Sequence, residues 1–257
     1  MKTEKIYYKN QFQTSCEAVL IASTENGLIF DKSVAYPEGG GQIGDIGVLI
    51  RCKDGSEIPF YNTTKIKGRN IFLNDFPSIK VENQIVHHID NDYEFEKNEK
   101  FLIKLDSVKR AQTTLHHSGL HLALMVLEEM FSGIDKKIVG AKITDKYGRL
   151  DFLIDFKFTP EQIAHIESRC NEYIDKNIPI NIFSHPEENE ALYWKCDNFI
   201  VPCGGTHCEN TKDLVGIKIK RKSIGKTSER LIVELPFNED FLKLYSYPSF
   251  LFSIEEN

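Results

Sequence analysis

The sequence predicts an α+β protein. A small β-barrel is expected over residues 1–95. Over residues 96–257 an α/β sandwich is expected, with an antiparallel sheet and one long helix that carries candidate metal ligands. Three observations predict this class. Residues 5–105 break into short β-rich runs separated by turn dipeptides. A long, capped helical pattern starts near Val108. Beyond it, alternating apolar and polar segments return, interrupted by a second capped helix.

In the first region, Cys16–Ser23 and Leu28–Ser33 flank Glu25-Asn26-Gly27, and Asn-Gly between β-rich runs is a strong hairpin signal. Gly47–Cys52, the Lys53-Asp54-Gly55 turn and Glu57–Ile66 repeat the pattern. Gly68-Arg69-Asn70 turns before Ile71–Leu73, and Gln84–Ile89 and Phe101–Leu105 complete about seven strands, the number of a small barrel. Pro37-Glu38-Gly39-Gly40-Gly41-Gln42-Ile43-Gly44-Asp45 is different: it is rich in glycine, has no strand periodicity, and suits close backbone approach to a ligand. It lacks the Lys-Ser/Thr ending of a nucleotide P-loop, so no nucleotide is expected. The charged stretch Asn91–Lys100 is the expected domain boundary.

Asp106 and Ser107 are candidate N-caps for a helix running from Val108 to Phe131. Val108, Ala111, Leu115, Leu122, Met125, Val126 and Glu129 fall on one side, expected to face the core. Arg110, Thr114, His117, His121, Leu124 and Glu128 fall on another, expected to face a cleft. Ile138–Thr144 and Arg149–Phe156 read as a hairpin. Thr159-Pro160-Glu161-Gln162 reads as a capping box with Pro at the first helical position, opening a helix that buries Ile163, Ile166, Cys170 and Ile174 and ends at Asn177. Ile180–Phe183 reads as a strand and Glu187–Trp194 as a short acidic helix, with Trp194 as a core anchor. Val215–Lys222 and Glu229–Leu235 read as paired strands, with Ile217 and Ile219 inward and Lys218, Lys220 and Lys222 outward. The residues after Leu235 read as a closing segment.

The chemistry concentrates in two stretches. In Leu115-His116-His117-Ser118-Gly119-Leu120-His121, His117 and His121 stand one helical turn apart and so point the same way. His116 is rotated about 100° from His117 and is not expected to join them. In Val201-Pro202-Cys203-Gly204-Gly205-Thr206-His207-Cys208, a glycine turn brings Cys203 and His207 inward. Imidazole nitrogen with thiolate sulfur is a donor set that suits zinc. Cys208 is a rival for the fourth ligand. His116 and Thr114 are candidates for proton transfer or for supporting the ligands, with core or capping roles as alternatives.

Together these motifs resemble the paired HxxxH and CxxxH of the editing domain of alanyl-tRNA synthetases, found also as free-standing alanyl-tRNA editing proteins of the AlaX type. The stretch from Gly140 to Phe152 resembles the hairpin after the metal helix there, and Ala35–Asp45 resembles the glycine-rich motif of the family's N-terminal barrel. The resemblance covers roughly residues 15–235. It implies a zinc-containing editing domain over residues 96–257, with His117, His121, Cys203 and His207 as metal ligands and, with Thr114, as the catalytic set. It implies a loop, Gly39, Gly40, Gly41 and Gln42, that shapes the amino-acid pocket or receives the tRNA acceptor end. Two positions depart from the family pattern: Ile43 stands where Pro often follows the Gln, and Ile138 stands where a polar residue often precedes the glycine matching Gly140.

The implied reaction is trans-editing: hydrolysis of the ester joining serine, or glycine, to alanine tRNA. An alanine pocket cannot strongly reject an isostere that adds a hydroxyl, so a second site is needed. Zinc would lower the pKa of a water, polarise the ester carbonyl, or orient the substrate. No synthetase catalytic core is expected ahead of the barrel. One alternative is a zinc-stabilised tRNA-binding module without hydrolytic activity. Another is a zinc hydrolase of a non-RNA substrate, although Ser118 stands where a protease-type HExxH has Glu.

Composition narrows the rest. The net charge of −6 argues against an indiscriminate nucleic-acid binder, yet Lys212, Lys218, Lys220, Arg221, Lys222, Lys226 and Arg230 crowd one stretch against Asp213 and Glu229. Such a local basic face suits contact with one RNA region, or is simply a solvated strand face. No apolar run approaches the ~18 residues of a membrane span, and the N-terminus lacks the apolar core of a signal peptide, so a cytoplasmic location is expected. The six cysteines are too scattered for a disulfide framework, and Cys16, Cys52 and Cys170 are expected to be core thiols.

Overall fold

The computed structural model describes residues 2–90 and 94–245. The first part contains β1 (Glu4–Lys5), β2 (Ser15–Thr24), β3 (Gly27–Phe30), β4 (Lys32–Ser33), β5 (Gly47–Arg51), β6 (Glu57–Phe60), β7 (Asn62–Ile66), β8 (Arg69–Leu73), β9 (Phe76–Val81), β10 (Gln84–His88) and β11 (Lys100–Leu105). Helix α1 (Ser107–Met130) follows. Then come β12 (Ile138–Ile143), β13 (Gly148–Leu153), α2 (Pro160–Asp175), β14 (Ile180–His185), β15 (Glu188–Cys196), β16 (Phe199–Pro202), β17 (Lys218–Ser223), β18 (Ser228–Glu234) and the short α3 (Glu239–Leu242). The architecture is α+β with mostly antiparallel sheets. Among the described residues no helix is long and apolar enough to cross a membrane.

The expected barrel strands form a seven-stranded sheet in the order β6-β5-β11-β2-β3-β10-β7. This is an open order and not a closed barrel. Its two edges, β6 and β7, are successive halves of one chain run that bends at Tyr61, so each half pairs with a different neighbour instead of with the other. Leu20, Phe30, Leu49, Phe60, Phe101 and Ile103 fill the space the sheet encloses. Part of the predicted boundary stretch, Asn91–Tyr93, lies outside the described residues. Strand β11, just after it, pairs with β2 and β5 and leads directly into α1.

Helix α1 begins where the Asp106 carboxylate accepts the Lys109 backbone N–H at 2.9 Å. It is buried almost all round from Arg110 to Leu127. The expectation of a polar stripe facing a cleft is therefore corrected. Arg110 and Thr114 are fully buried and His117 nearly so. They are covered by the glycine-rich loop of the first sheet and by the Cys203–His207 turn, which supply hydrogen-bond partners that the sequence pattern of the helix alone does not show. Val108, expected to face the core, is 45% exposed in the first turn.

The opposite side of α1 packs on the sheet β12-β13-β18-β17. Leu150, Phe152, Leu231 and Val233 alternate toward the helix in that sheet. Helix α2 has the predicted capping box between Thr159 and Gln162, with Pro160 in its first turn, and it buries Ile166, Cys170 and Ile174. The predicted acidic helix Glu187–Trp194 is instead strand β15, central in the sheet β14-β15-β16. The acidic run has helix-forming residues, but pairing on both sides and the burial of Trp194 and Cys196 on one face override that preference. Cys16 and Cys170 are buried as expected, whereas Cys52 is exposed at the turn after β5. Of the predicted closing segment, Phe241 and Tyr245 are buried and pack edge-on against Phe12. Residues 246–257 lie outside the described residues.

The two halves are joined by a buried ion pair. Arg110 Nε donates to both carboxylate oxygens of Asp45 at 3.0 Å, and its remaining nitrogens donate to the Gln11 and Val34 carbonyls at 2.9 and 2.8 Å. Asp45 also accepts the Tyr36 backbone N–H at 2.6 Å. Removing one partner of such a pair leaves an uncompensated buried charge. Asp45→Ala is therefore expected to lower the unfolding free energy by about 3–5 kcal/mol, read as a shift in denaturant midpoint. A midpoint equal to that of the unaltered protein would mean the pair contributes nothing to this packing.

Candidate metal centre

His117 and His121 reach the centre from α1, and Cys203 and His207 from the turn that follows β16. One donor atom from each residue lies within 4.8 Å of every other. Cys203 Sγ is 3.4 Å from His117 Nε2 and 3.3 Å from His207 Nε2. Nitrogen and sulfur bound to one zinc at roughly 2.0 and 2.3 Å in a tetrahedron stand about 3.5 Å apart. The sequence places these donors far apart along the chain, and the fold brings them together. Cys208, the rival ligand, is not among them. It is buried, and its backbone N–H donates to Ser118 Oγ at 2.8 Å.

The residues fit a metal ion on three counts. His121 Nε2 is buried and has no hydrogen-bond partner among the described residues, an arrangement that costs energy unless something accepts its lone pair. The donor set is borderline-soft, as zinc prefers. The backbone at Gly205 lies so close to the His117 ring that a Cβ there would overlap its Cε1 and Nδ1.

Each ligand is held from behind. Gln42 is fully buried, and its Oε1 accepts the His117 Nδ1–H at 2.7 Å, which leaves the Nε2 lone pair directed at the cluster. The same Oε1 accepts the Thr206 backbone N–H at 3.1 Å, while Gln42 Nε2 donates to Thr206 Oγ1 at 3.1 Å. Thr114 donates to Thr206 Oγ1 at 2.8 Å, and Tyr245 donates to Thr114 at 3.1 Å. Thr114 thus stands behind the ligand turn, fully buried. Ser118 Oγ lies 3.4 Å from His207 Nδ1, and the His207 backbone N–H donates to Gln11 Oε1 at 2.7 Å. The Cys203 backbone N–H donates to the Leu192 carbonyl at 2.8 Å, anchoring the turn to β15. The His121 ring stacks on Trp194 with centroids 5.1 Å apart. His116 is elsewhere: its ring bridges the Gln112 carbonyl at 2.8 Å and the Leu235 backbone N–H at 3.2 Å, a core role. Gln11, Ser118, Thr206 and Tyr245 were not singled out from the sequence, because nothing local marks a polar residue whose partner is distant along the chain.

Gly39 and Gln42 pair across a two-residue turn in which Gly40 and Gly41 both have positive φ, 60° and 87°. The Gly41 carbonyl and the Ile43 N–H bond the backbone of Ile143 at 2.7 and 3.1 Å, seating the loop on the end of β12. Lys218 and Lys220 point outward as expected, but each meets a carboxylate, Glu167 at 2.8 Å and Glu234 at 2.6 Å. Lys222 has no such partner among the described residues. His117 and His207 are buried, whereas His121 and Cys203 are half-buried, so the cluster opens on the side of the latter two. A cleft of 560 Å³ lies beside the turn, lined by Tyr7, Tyr8, Gln11, Leu192 and Gly205 among others. A larger cavity of 700 Å³, lined by Phe131, Ile134, Phe156 and Thr227, shares no residue with the cluster.

Burial sets the protonation of the free ligands. It holds His117 and His207 well below the usual imidazole range and His121 down to about 4. It pushes the Cys203 thiol up to about 12. At neutral pH the three imidazoles are already unprotonated and the thiol still holds its proton. Metal binding at pH 7 is therefore expected to release about one proton, from Cys203, with affinity rising about tenfold per pH unit across the neutral range. Calorimetry in buffers of different ionisation enthalpy measures this, and release of two or more protons would contradict the stated order. Gly205→Ala is expected to displace the His117 ring and weaken metal binding by at least about tenfold, measured by competition with a chelator. Unchanged affinity would mean the close approach is not required.

No family model matches the chain. It is 30% identical over 236 residues to an alanine–tRNA ligase of Metallosphaera sedula, covering 84% of this chain and 24% of the ligase. A ligase of the same name from Methanobrevibacter smithii is 30% identical over 245 residues, covering 86% and 25%. The chain thus spans about a quarter of the length of these curated relatives. It is also 26% identical over 235 residues to the alanyl-tRNA editing protein AlaX-M of Pyrococcus horikoshii, covering 89% of this chain and 96% of that protein. Across most of its length, this chain is a relative of the free-standing alanyl-tRNA editing proteins of the AlaX type and of one quarter of alanine–tRNA ligase.

Proposed function

We propose that this chain is a trans-editing hydrolase that deacylates alanine tRNA mischarged with serine or glycine, using a zinc ion held by His117, His121, Cys203 and His207. The observation that carries the reading is the convergence of these four donors, with His121 Nε2 buried and without a hydrogen-bond partner among the described residues, in a relative of alanyl-tRNA editing proteins. The division of labour follows the expected units. Residues 1–95 supply the glycine-rich loop, and residues 96–257 supply the ligands.

In the reaction a water oxygen adds to the ester carbonyl, the bond to the ribose oxygen breaks, and that oxygen leaves with a proton. A zinc ion held by His117, His121, Cys203 and His207 would supply Lewis acidity and positive charge for this step. The protein's own groups hold the geometry. Gln42 fixes the His117 ring and its tautomer, Ser118 engages the His207 ring, and Trp194 backs His121. The chain Tyr245–Thr114–Thr206–Gln42 stiffens the turn, so that the donors stay placed as charge develops. Gly39, Gly40 and Gly41 bring backbone to the rim of the same site. Lys218, Lys220 and Lys222 offer a basic strand face to RNA. The exposed pairs with Glu167 and Glu234 are each worth under about 1 kcal/mol, so phosphate can replace the carboxylates.

The zinc-loaded protein is expected to release serine from Ser-tRNA(Ala) in single-turnover assays and to leave Ala-tRNA(Ala) intact. His121→Ala is expected to reduce that rate by about a hundredfold or more, since even residues that only support a ligand cost 10–100-fold. If loaded protein binds the mischarged tRNA without hydrolysing it, the tRNA-binding alternative replaces this reading.

A further inference from the structure

The glycine turn has an outward side that the metal centre does not use. The backbone N–H groups of Gly40 and Gly41 have no acceptor among the described residues. Both residues have positive φ, and successive backbone N–H groups in a tight turn are a known way to build an anion-binding concavity. Lys65, on β7, lies against this turn: a Cβ on Gly39 would stand 3.0 Å from its Nζ. The Lys65 ammonium makes no ion pair or hydrogen bond among the described residues. Glu38, the acid next to the turn, does not pair with it. Glu190 is already taken by Lys5 and by the Glu82 backbone N–H. Partial burial, and after it the nearby Lys5 ammonium, lower the Lys65 pKa, while the Glu190 carboxylate acts in the opposite direction.

We propose that Lys65 and the Gly40 and Gly41 backbone N–H groups form a phosphate-binding subsite, which takes a phosphodiester of the unpaired 3′-terminal nucleotides of the RNA. The turn that holds the phosphate is the turn that carries Gln42, which bonds His117. Anchoring the backbone here fixes the approach of the terminal ribose ester to the cluster. The proposal rests on the editing reading for the identity of the RNA and not for the chemistry of the subsite. Lys65 differs from Lys218 and Lys220 in making no ion pair with a carboxylate among the described residues.

Binding of uncharged alanine tRNA tests it without reference to hydrolysis. The unaltered protein and Lys65→Gln are each titrated with intact tRNA and with tRNA lacking its unpaired 3′-terminal nucleotides, over a series of salt concentrations. Lys65→Gln is expected to weaken binding of intact tRNA about tenfold, the loss of one charge-assisted contact, and to lower its salt slope by about 0.7, the value for one single-stranded phosphate. Truncated tRNA is expected to bind both proteins alike. Lys222→Gln serves as a control for general electrostatics and should affect intact and truncated tRNA equally. Equal losses with both RNAs on Lys65→Gln, no loss with either, or no binding of tRNA by the unaltered protein overturns the subsite. Failure of the editing reading is seen separately, as absence of hydrolysis by the zinc-loaded protein.

Discussion

The buried pair between Asp45 and Arg110 is the constraint on which the rest of the structure depends. Taking both charges out of water costs several kcal/mol per ion, and their attraction in a low-dielectric interior offsets that cost only in good geometry. Here each nitrogen of the Arg110 guanidinium finds an acceptor, and Asp45 also accepts a backbone N–H. The value of such a pair lies in what it forbids. Sliding the glycine-rich loop by one residue along α1 would leave both ions unpaired in the core. Asp45 follows Gln42 closely in sequence, and Arg110 stands two helical turns before His117. The ion pair therefore sets the register in which Gln42 Oε1 meets His117 Nδ1.

From that register the rest of the centre follows by hydrogen bonding. Gln42 holds both a ligand ring and the ligand turn, because its single oxygen accepts from His117 and from the Thr206 backbone. Thr114 and Tyr245 extend the chain behind it. A centre assembled this way is rigid before any ligand arrives, which is what electrostatic preorganisation requires. Burial that serves rigidity also sets the acid–base state. The imidazoles lose their protons readily and the Cys203 thiol keeps its own, so only the cysteine must be ionised for the site to load.

Much of this was legible in the sequence, and the parts that were not share a physical cause. The HxxxH and CxxxH spacings are local geometry, so they were visible, as were the Asp106 cap and the Thr159 capping box. Trp194 read correctly as buried, yet its strand was read as a helix, because Glu187–Glu190 favours helix locally and only β14 and β16 decide otherwise. The polar stripe of α1 was expected to face a cleft, and its burial was not foreseen because its partners Asp45, Gln42 and Thr206 come from elsewhere in the chain. The outward lysines of β17 were visible from alternation alone, but their carboxylate partners Glu167 and Glu234 lie on α2 and β18. The sheet's open order has the same origin: a bend at Tyr61 sends β6 and β7 to different neighbours, and no local residue pattern announces it.

The glycine turn shows why Gly40 and Gly41 together matter more than flexibility would suggest. Two consecutive residues with positive φ reverse the chain within a two-residue hairpin turn. The next residue, Gln42, is then directed inward, fully buried against His117, while no acceptor among the described residues takes the turn's own N–H groups. A longer loop could place either group but would let them move independently. A β-branched or bulky residue at Gly40 or Gly41 would be strained at these φ values, and at Gly41 its Cβ would also press on Ala141. The turn thus couples what binds on the rim to how His117 is held in the interior, and the coupling is short because only the turn's backbone and the Gln42 side chain lie between the two.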